Sequence, residues 1–270
     1  MERSYDIVND NLPKTKKREY WDVAFGLQAV DNLSPSSYMR SLANDHVEGK
    51  KSYYEVSEAI NSYYSSSSVA KNNSENEADK VSRVIFQILS DDAFSFNPLT
   101  LKNYHKLLFK GINDELFHPG EFRTVNITKK EPILAGRTVQ YEPFFQIEEA
   151  LNHDFSEEEN FDYSNLSAEE KVSHLAEFTS KIWQIHPFME GNTRTTAIFI
   201  EKYLLNLGYS VDNLPFEKNS KYFRNALVRA NFSDAPNNIS RDPSFLENFF
   251  KNLLLDENNP LKNSSLELYK

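Results

Sequence analysis

With 270 residues, 39% of them hydrophobic and 13% aromatic, the chain can build one sizeable packed domain, or a domain with an appended subdomain. A net charge of −10 argues against broad nucleic-acid or anionic-membrane binding, and the absence of cysteine excludes disulfides, thiolate chemistry and Cys-bound zinc. Only seven glycines are present, with no G-x-G-x-x-G or P-loop, and no segment has the apolar length of a signal core or membrane span, so a soluble cytoplasmic protein is expected.

Helical periodicity dominates in chain order. The aromatic stretch Tyr20, Trp21, Phe25 and, further on, Tyr53, Tyr54, Tyr63 and Tyr64 reads as packing, and a helix is expected over about 36–46. Ser52-Tyr53-Tyr54-Glu55 is a capping box opening a helix through Val56, Ile60 and Tyr63. Serines 65–68 and residues 72–74 read as loop, and Val81, Val84, Ile85, Ile88 and Leu89 form a second helical stripe. A helix near 100–110 precedes a different pattern. Residues 122–141 carry β-branched runs, Thr124-Val125-Asn126-Ile127 and Arg137-Thr138-Val139, around Gly136, which predict a small β-hairpin flap with Lys129-Lys130 as its solvated tip. Beyond a helix near 145–153, Ser167-Ala168-Glu169-Glu170 caps a helix with Val172, Leu175, Phe178, Ile182 and Ile185 on one face. His186 ends that helix and Pro187 stops it. The next helix runs from about Asn192 to Leu207, closed by Gly208, and helices near 217–231 and 243–255 complete a mostly α fold.

Between those two central helices lies Ile185-His186-Pro187-Phe188-Met189-Glu190-Gly191-Asn192-Thr193-Arg194-Thr195, where chemistry rather than packing chooses the residues. His186 can move a proton near neutral pH, and Glu190 can hold a hard cation. Gly191 to Arg194 offer backbone N–H groups and a guanidinium at a helix start, which suits a phosphate. Together they describe phosphoryl or nucleotidyl transfer. A zinc hydrolase is disfavoured, because Pro187 breaks the face that His186 and Glu190 would share and no third ligand is near.

His186-Pro187-Phe188-x-Glu190-Gly191-Asn192-x-Arg194 resembles the signature of Fic-domain proteins of the Fic/Doc superfamily, H-x-F-x-[DE]-G-N-[GK]-R-x-x-R. The segment from Gly120-x-Phe122-Arg123 to Tyr141 is similar to that family's target-docking flap, and Arg224 to Asn231 to the helix that closes over the base. The resemblance implies an N-terminal helical region over 1–75, a Fic core over 76–235 and a C-terminal helix and tail over 236–270. It implies a protein adenylyltransferase that uses ATP and Mg²⁺ to place AMP on a hydroxyl of a target protein of unknown identity. In that reading His186 is the general base and Phe188 a loop anchor. Glu190 holds Mg²⁺, Gly191, Asn192, Thr193 and Arg194 bind phosphates, Asn231 contacts adenine or serves structure, and Ile133 and Leu134 dock the target. Family members often form homodimers.

The sequence departs from the signature at Thr193 and at Ala197, where the family places a glycine and its final arginine. That arginine binds the γ-phosphate. Asn44-Asp45-His46-Val47-Glu48-Gly49 resembles the family's inhibitory-helix motif and makes Glu48 an inhibitory glutamate. Its usual cationic partner is replaced by Ala197, leaving Arg194 or Arg229 as substitutes. The departures also leave open transfer of another phosphate-containing group, or a catalytically weak nucleotide-binding or protein-interaction module.

Overall fold

The computed structural model describes residues 10–65, 73–211 and 214–269. Among them the chain is mostly helical, with eleven α-helices. In order these are α1 (Lys14–Gly26), α2 (Ser37–Val47), α3 (Tyr53–Ser65), α4 (Asn73–Ser90), α5 (Pro98–Phe109) and α6 (Asp114–Phe117), then α7 (Ile147–Glu159), α8 (Ala168–Ile185), α9 (Asn192–Asn206), α10 (Leu214–Asn231) and α11 (Ser244–Leu254).

Local chemistry sets these boundaries. Ser167 Oγ accepts from Glu170 N at 3.2 Å and the Glu170 carboxylate accepts from Ser167 N at 2.8 Å, so the capping box that opens α8 is closed in both directions. Asn97 caps α5 by accepting from Thr100 N at 2.9 Å, with Pro98 at the first helical position. Gly208 follows α9 with φ 86°, the left-handed turn that ends a helix. The serine- and asparagine-rich loop expected after α3 falls largely on residues outside those described.

Helix α9 is buried on every side from Asn192 to Leu204, as a helix enclosed by its neighbours must be. It packs against α5, α8 and α4. Around it runs one continuous apolar core from Tyr20 to Leu266, which includes Trp21, Phe86, Trp183, Phe199 and Phe223. Trp21 stacks on Phe86 with ring centroids 4.5 Å apart, so the aromatic stretch near residue 20 is packing, as expected. Among the described residues no helix is long and apolar enough to cross a membrane.

The β-hairpin expected over 122–141 is absent: no strand forms there or elsewhere among the described residues. Pro132 removes a ladder donor and opens a 3-10 turn over Pro132–Leu134, after which Ala135 and Gly136 take left-handed conformations. Two backbone bonds close the loop, Glu131 N to Arg137 O at 2.9 Å and Gly136 N to Glu131 O at 3.0 Å. Where further cross-strand bonds would run, the Arg123 guanidinium donates to Val125 O at 2.7 Å and to Glu142 O. β-Branched composition marked an extended segment, but a side chain took over the ladder's role.

Candidate active site at the head of helix α9

His186 ends α8 in a left-handed conformation, φ 50° and ψ 59°, which is costly for a residue with a Cβ. Arg123 holds it there. Its Nε donates to His186 O at 2.8 Å, an Nη donates to Ile185 O at 3.3 Å, and its backbone N–H donates to Pro187 O at 2.9 Å. The imidazole is buried, with the Tyr141 ring 4.1 Å away and Trp183 edge-on at 5.3 Å. Burial first, and the Lys129 ammonium second, hold His186 well below the ordinary histidine range, so it is neutral at pH 7. Nδ1 lies 3.3 Å from Trp183 O, which can only accept, so that nitrogen carries the hydrogen and Nε2 is left as the base.

A second histidine, His105 on α5, fixes the loop from behind. Its Nδ1 accepts from Gly120 N at 3.0 Å, so Nε2 carries the hydrogen donated to Glu190 O at 3.0 Å. Its ring stacks on Phe188 at 3.8 Å and 3°, confirming Phe188 as a loop anchor. Burial lowers His105 to about 4. Between that value and the unfolded 6.5 the unfolded chain binds more protons, so stability falls as pH drops through this window. From pH 7 to 4.5 the wild type is expected to lose about 2–3 kcal/mol more than His105→Phe in urea denaturation. Equal losses would show that His105 does not titrate as its burial requires.

Asn192 braces the loop with both amide atoms: Oδ1 accepts from Phe188 N at 2.9 Å and Nδ2 donates to Phe188 O at 2.8 Å. Thr193 Oγ1 accepts from Trp183 Nε1 at 3.0 Å, tying α9 to α8. Gly191 takes φ 76° at the N-cap, and a Cβ there would meet Phe109 Cε2 at 2.3 Å. The groups these braces leave for an anion are the backbone N–H donors at the positive end of α9.

Glu190 sits beside them with a half-exposed carboxylate, its oxygen 3.7 Å from Lys129 Nζ. That loose pairing leaves carboxylate lone pairs available to a hard cation such as Mg²⁺, so the site fits one.

Other expected residues lie elsewhere. Arg194 points into the protein, 2% exposed, with Asp31 Oδ2 at 2.9 Å and Glu77 Oε1 at 2.7 Å. Gln28 Oε1 accepts from it at 3.2 Å, and its guanidinium lies over Phe109 at 4.9 Å. Ala197 is fully buried. Asn231 Nδ2 donates to Ser180 Oγ and to Leu227 O, both at 2.9 Å, which ties the end of α10 to α8. Glu48 pairs with Lys14 at 2.8 Å and Arg18 at 3.2 Å, whereas Arg229 pairs with Asp242. The substitutes expected for Glu48 are thus occupied by other carboxylates. Ile133 and Leu134 are buried, and Ile133 O already accepts from Leu268 N at 2.8 Å.

Sequence reasoning missed His105 and Glu131, and gave Arg123, Tyr141 and Arg224 no role of their own. Arg123 and Tyr141 left a trace as the two ends of the flap-like segment, and Arg224 as the first residue of the helix from Arg224 to Asn231. The others are single residues whose meaning depends on neighbours far along the chain.

Among curated proteins none matches the chain. Residues 95–204 match the Fic/DOC family model, a span that runs from α5 to α9 and contains the whole motif. The loop that joins a buried histidine, a carboxylate and a helix N-terminus is therefore a Fic motif in its family setting, and the chain carries a Fic domain.

Proposed function

We propose that the protein is an adenylyltransferase that moves AMP from ATP to a hydroxyl side chain of another protein. The observation that carries this reading is the neutral His186, whose protonated Nδ1 faces Trp183 O and whose Nε2 is free, at the mouth of the α9 N-terminus. Nε2 accepts the hydroxyl proton as the oxygen forms its bond to the α-phosphorus; the bond to the bridging oxygen breaks and pyrophosphate leaves. The N–H groups heading α9 bind phosphate oxygens, and their dipole favours the charge there. Glu190 would hold Mg²⁺, which when bound neutralises phosphate charge. A brake role for Glu48 requires it to exchange Lys14 and Arg18 for the γ-phosphate end of the site.

A weakly catalytic nucleotide-binding module is favoured by one observation: Arg194 is taken up by Asp31 and Glu77, and residue 197 is alanine. Intact-mass measurement after incubation with ATP and Mg²⁺ separates the readings. An adenylyl increment on the wild type that is lost in His186→Ala supports transfer, while ATP binding without any increment supports the module.

A further inference from the structure

Besides Arg123, whose guanidinium is spent on backbone carbonyls, two cations act on the catalytic histidine from outside the motif. Lys129 stands on the 122–141 loop, 3.7 Å from Glu190. Arg224 comes from α10, and its guanidinium meets Glu131 as a fork, Nη1 to Oε2 at 2.8 Å and Nη2 to Oε1 at 3.0 Å. Glu131 is fully buried, two residues beyond Lys129 on the same loop. Tyr141, whose ring covers His186, is pushed above the ordinary tyrosine range by burial and then by the Glu131 charge, and the positive charge of Arg224 reaches both Tyr141 and His186. The ion pair therefore borders the histidine pocket. The motif itself has no cation to spare, since Arg194 is enclosed by two carboxylates and Ala197 carries no charge.

We infer that Arg224 is the principal phosphate-binding cation of this site and that Glu131 occupies it when no nucleotide is bound. The inference rests on the adenylyltransferase reading. A guanidinium that forks a carboxylate presents the geometry that forks a phosphate, so an entering polyphosphate competes with Glu131 for the same donors. Lys129 adds a second charge on the Glu190 side. Glu131 thereby sets nucleotide affinity from the 122–141 loop.

The two halves of the pair should act with opposite sign. In a His186→Ala parent, which binds without turnover, ATP with Mg²⁺ is titrated calorimetrically. Adding Glu131→Gln is expected to tighten binding several-fold, because Arg224 is released. Adding Glu131→Gln with Arg224→Gln together keeps a neutral, hydrogen-bonded pair and is expected to weaken binding about tenfold or more. A purely structural pair would move both variants the same way, or neither, and that result would overturn the inference while leaving the parent's binding intact. A parent that binds no ATP would overturn the nucleotide reading itself and the inference with it. Thermal melting of each variant confirms that the comparison is between folded proteins.

Discussion

Replacing Arg194 with methionine is expected to destabilise the fold by about 3 kcal/mol or more, because the change leaves two largely buried carboxylates without their counter-ion. Asp31 and Glu77 lie 2.9 and 2.7 Å from the guanidinium, with side chains only 26% and 19% exposed. Methionine fills similar volume, so the loss reports charge rather than a cavity. Urea denaturation followed by the fluorescence of Trp21 and Trp183 gives the number. Adding Glu77→Gln to Arg194→Met should restore part of the loss, since one orphaned charge is removed. If Arg194→Met were instead as stable as wild type but bound ATP much more weakly, Arg194 would be the phosphate ligand its motif position suggests. The result therefore decides between a residue that builds the site and one that touches nucleotide.

Gly191→Ala is the second large effect expected. A Cβ at this position falls 2.3 and 2.4 Å from Cε2 and Cζ of Phe109, a ring that is fully buried and stacked on Phe117 at 4.3 Å. Because the obstacle is the rigid end of an enclosed ring, the loop between His186 and α9 must move instead. A left-handed φ adds about 1–2 kcal/mol of backbone strain for any residue with a Cβ. We expect a total destabilisation of about 3 kcal/mol, the strain together with overpacking in the core. A loop displaced by about 1 Å should also slow transfer by about 100-fold. Gly49→Ala separates the two causes, since its φ is 72° but nothing lies within 4 Å of the new Cβ. It should show the strain alone in parallel denaturation curves. Equal losses at the two glycines would mean that the Phe109 contact is relieved at no cost.

Phe109 links these two results. It meets Gly191 on one side and the Arg194 guanidinium on the other, so α5 fixes the head of α9 through a single ring. This kind of arrangement is not readable from sequence. The capping boxes at Ser52 and Ser167 were readable because both halves lie within four residues, and their bonds form as expected. The apolar stripes of α4 and α8 were readable for the same reason: their period is local. Helix α1 left no such stripe, because Lys14, Lys16, Lys17 and Arg18 crowd its first turns, and its apolar half read only as aromatic packing. The 122–141 loop misled, since Thr, Val and Ile favour extended backbone whether or not a partner strand exists. What replaced the ladder was one arginine reaching across the loop.

The site follows the same division. His186, Phe188, Glu190, Gly191 and Asn192 are contiguous, and the structure places them in one loop. The side chains of Asn192, Thr193 and Arg194 each have a partner within the fold: the Phe188 backbone, Trp183, and the pair Asp31 and Glu77. Long-range partners decide whether a polar side chain in a motif faces a ligand or the fold. Arg224 and Glu131 show the converse, because they border His186 from segments whose resemblance to the family gave neither side chain a role.

The most direct test of the central claim is to incubate the protein with ATP labelled on the α-phosphate, and separately with ATP labelled on the γ-phosphate, in the presence of Mg²⁺ and a mixture of candidate target proteins. The account predicts covalent label on protein from the α position alone, and its loss in His186→Ala. Label from the γ position, or α label that persists without the His186 imidazole, would contradict it.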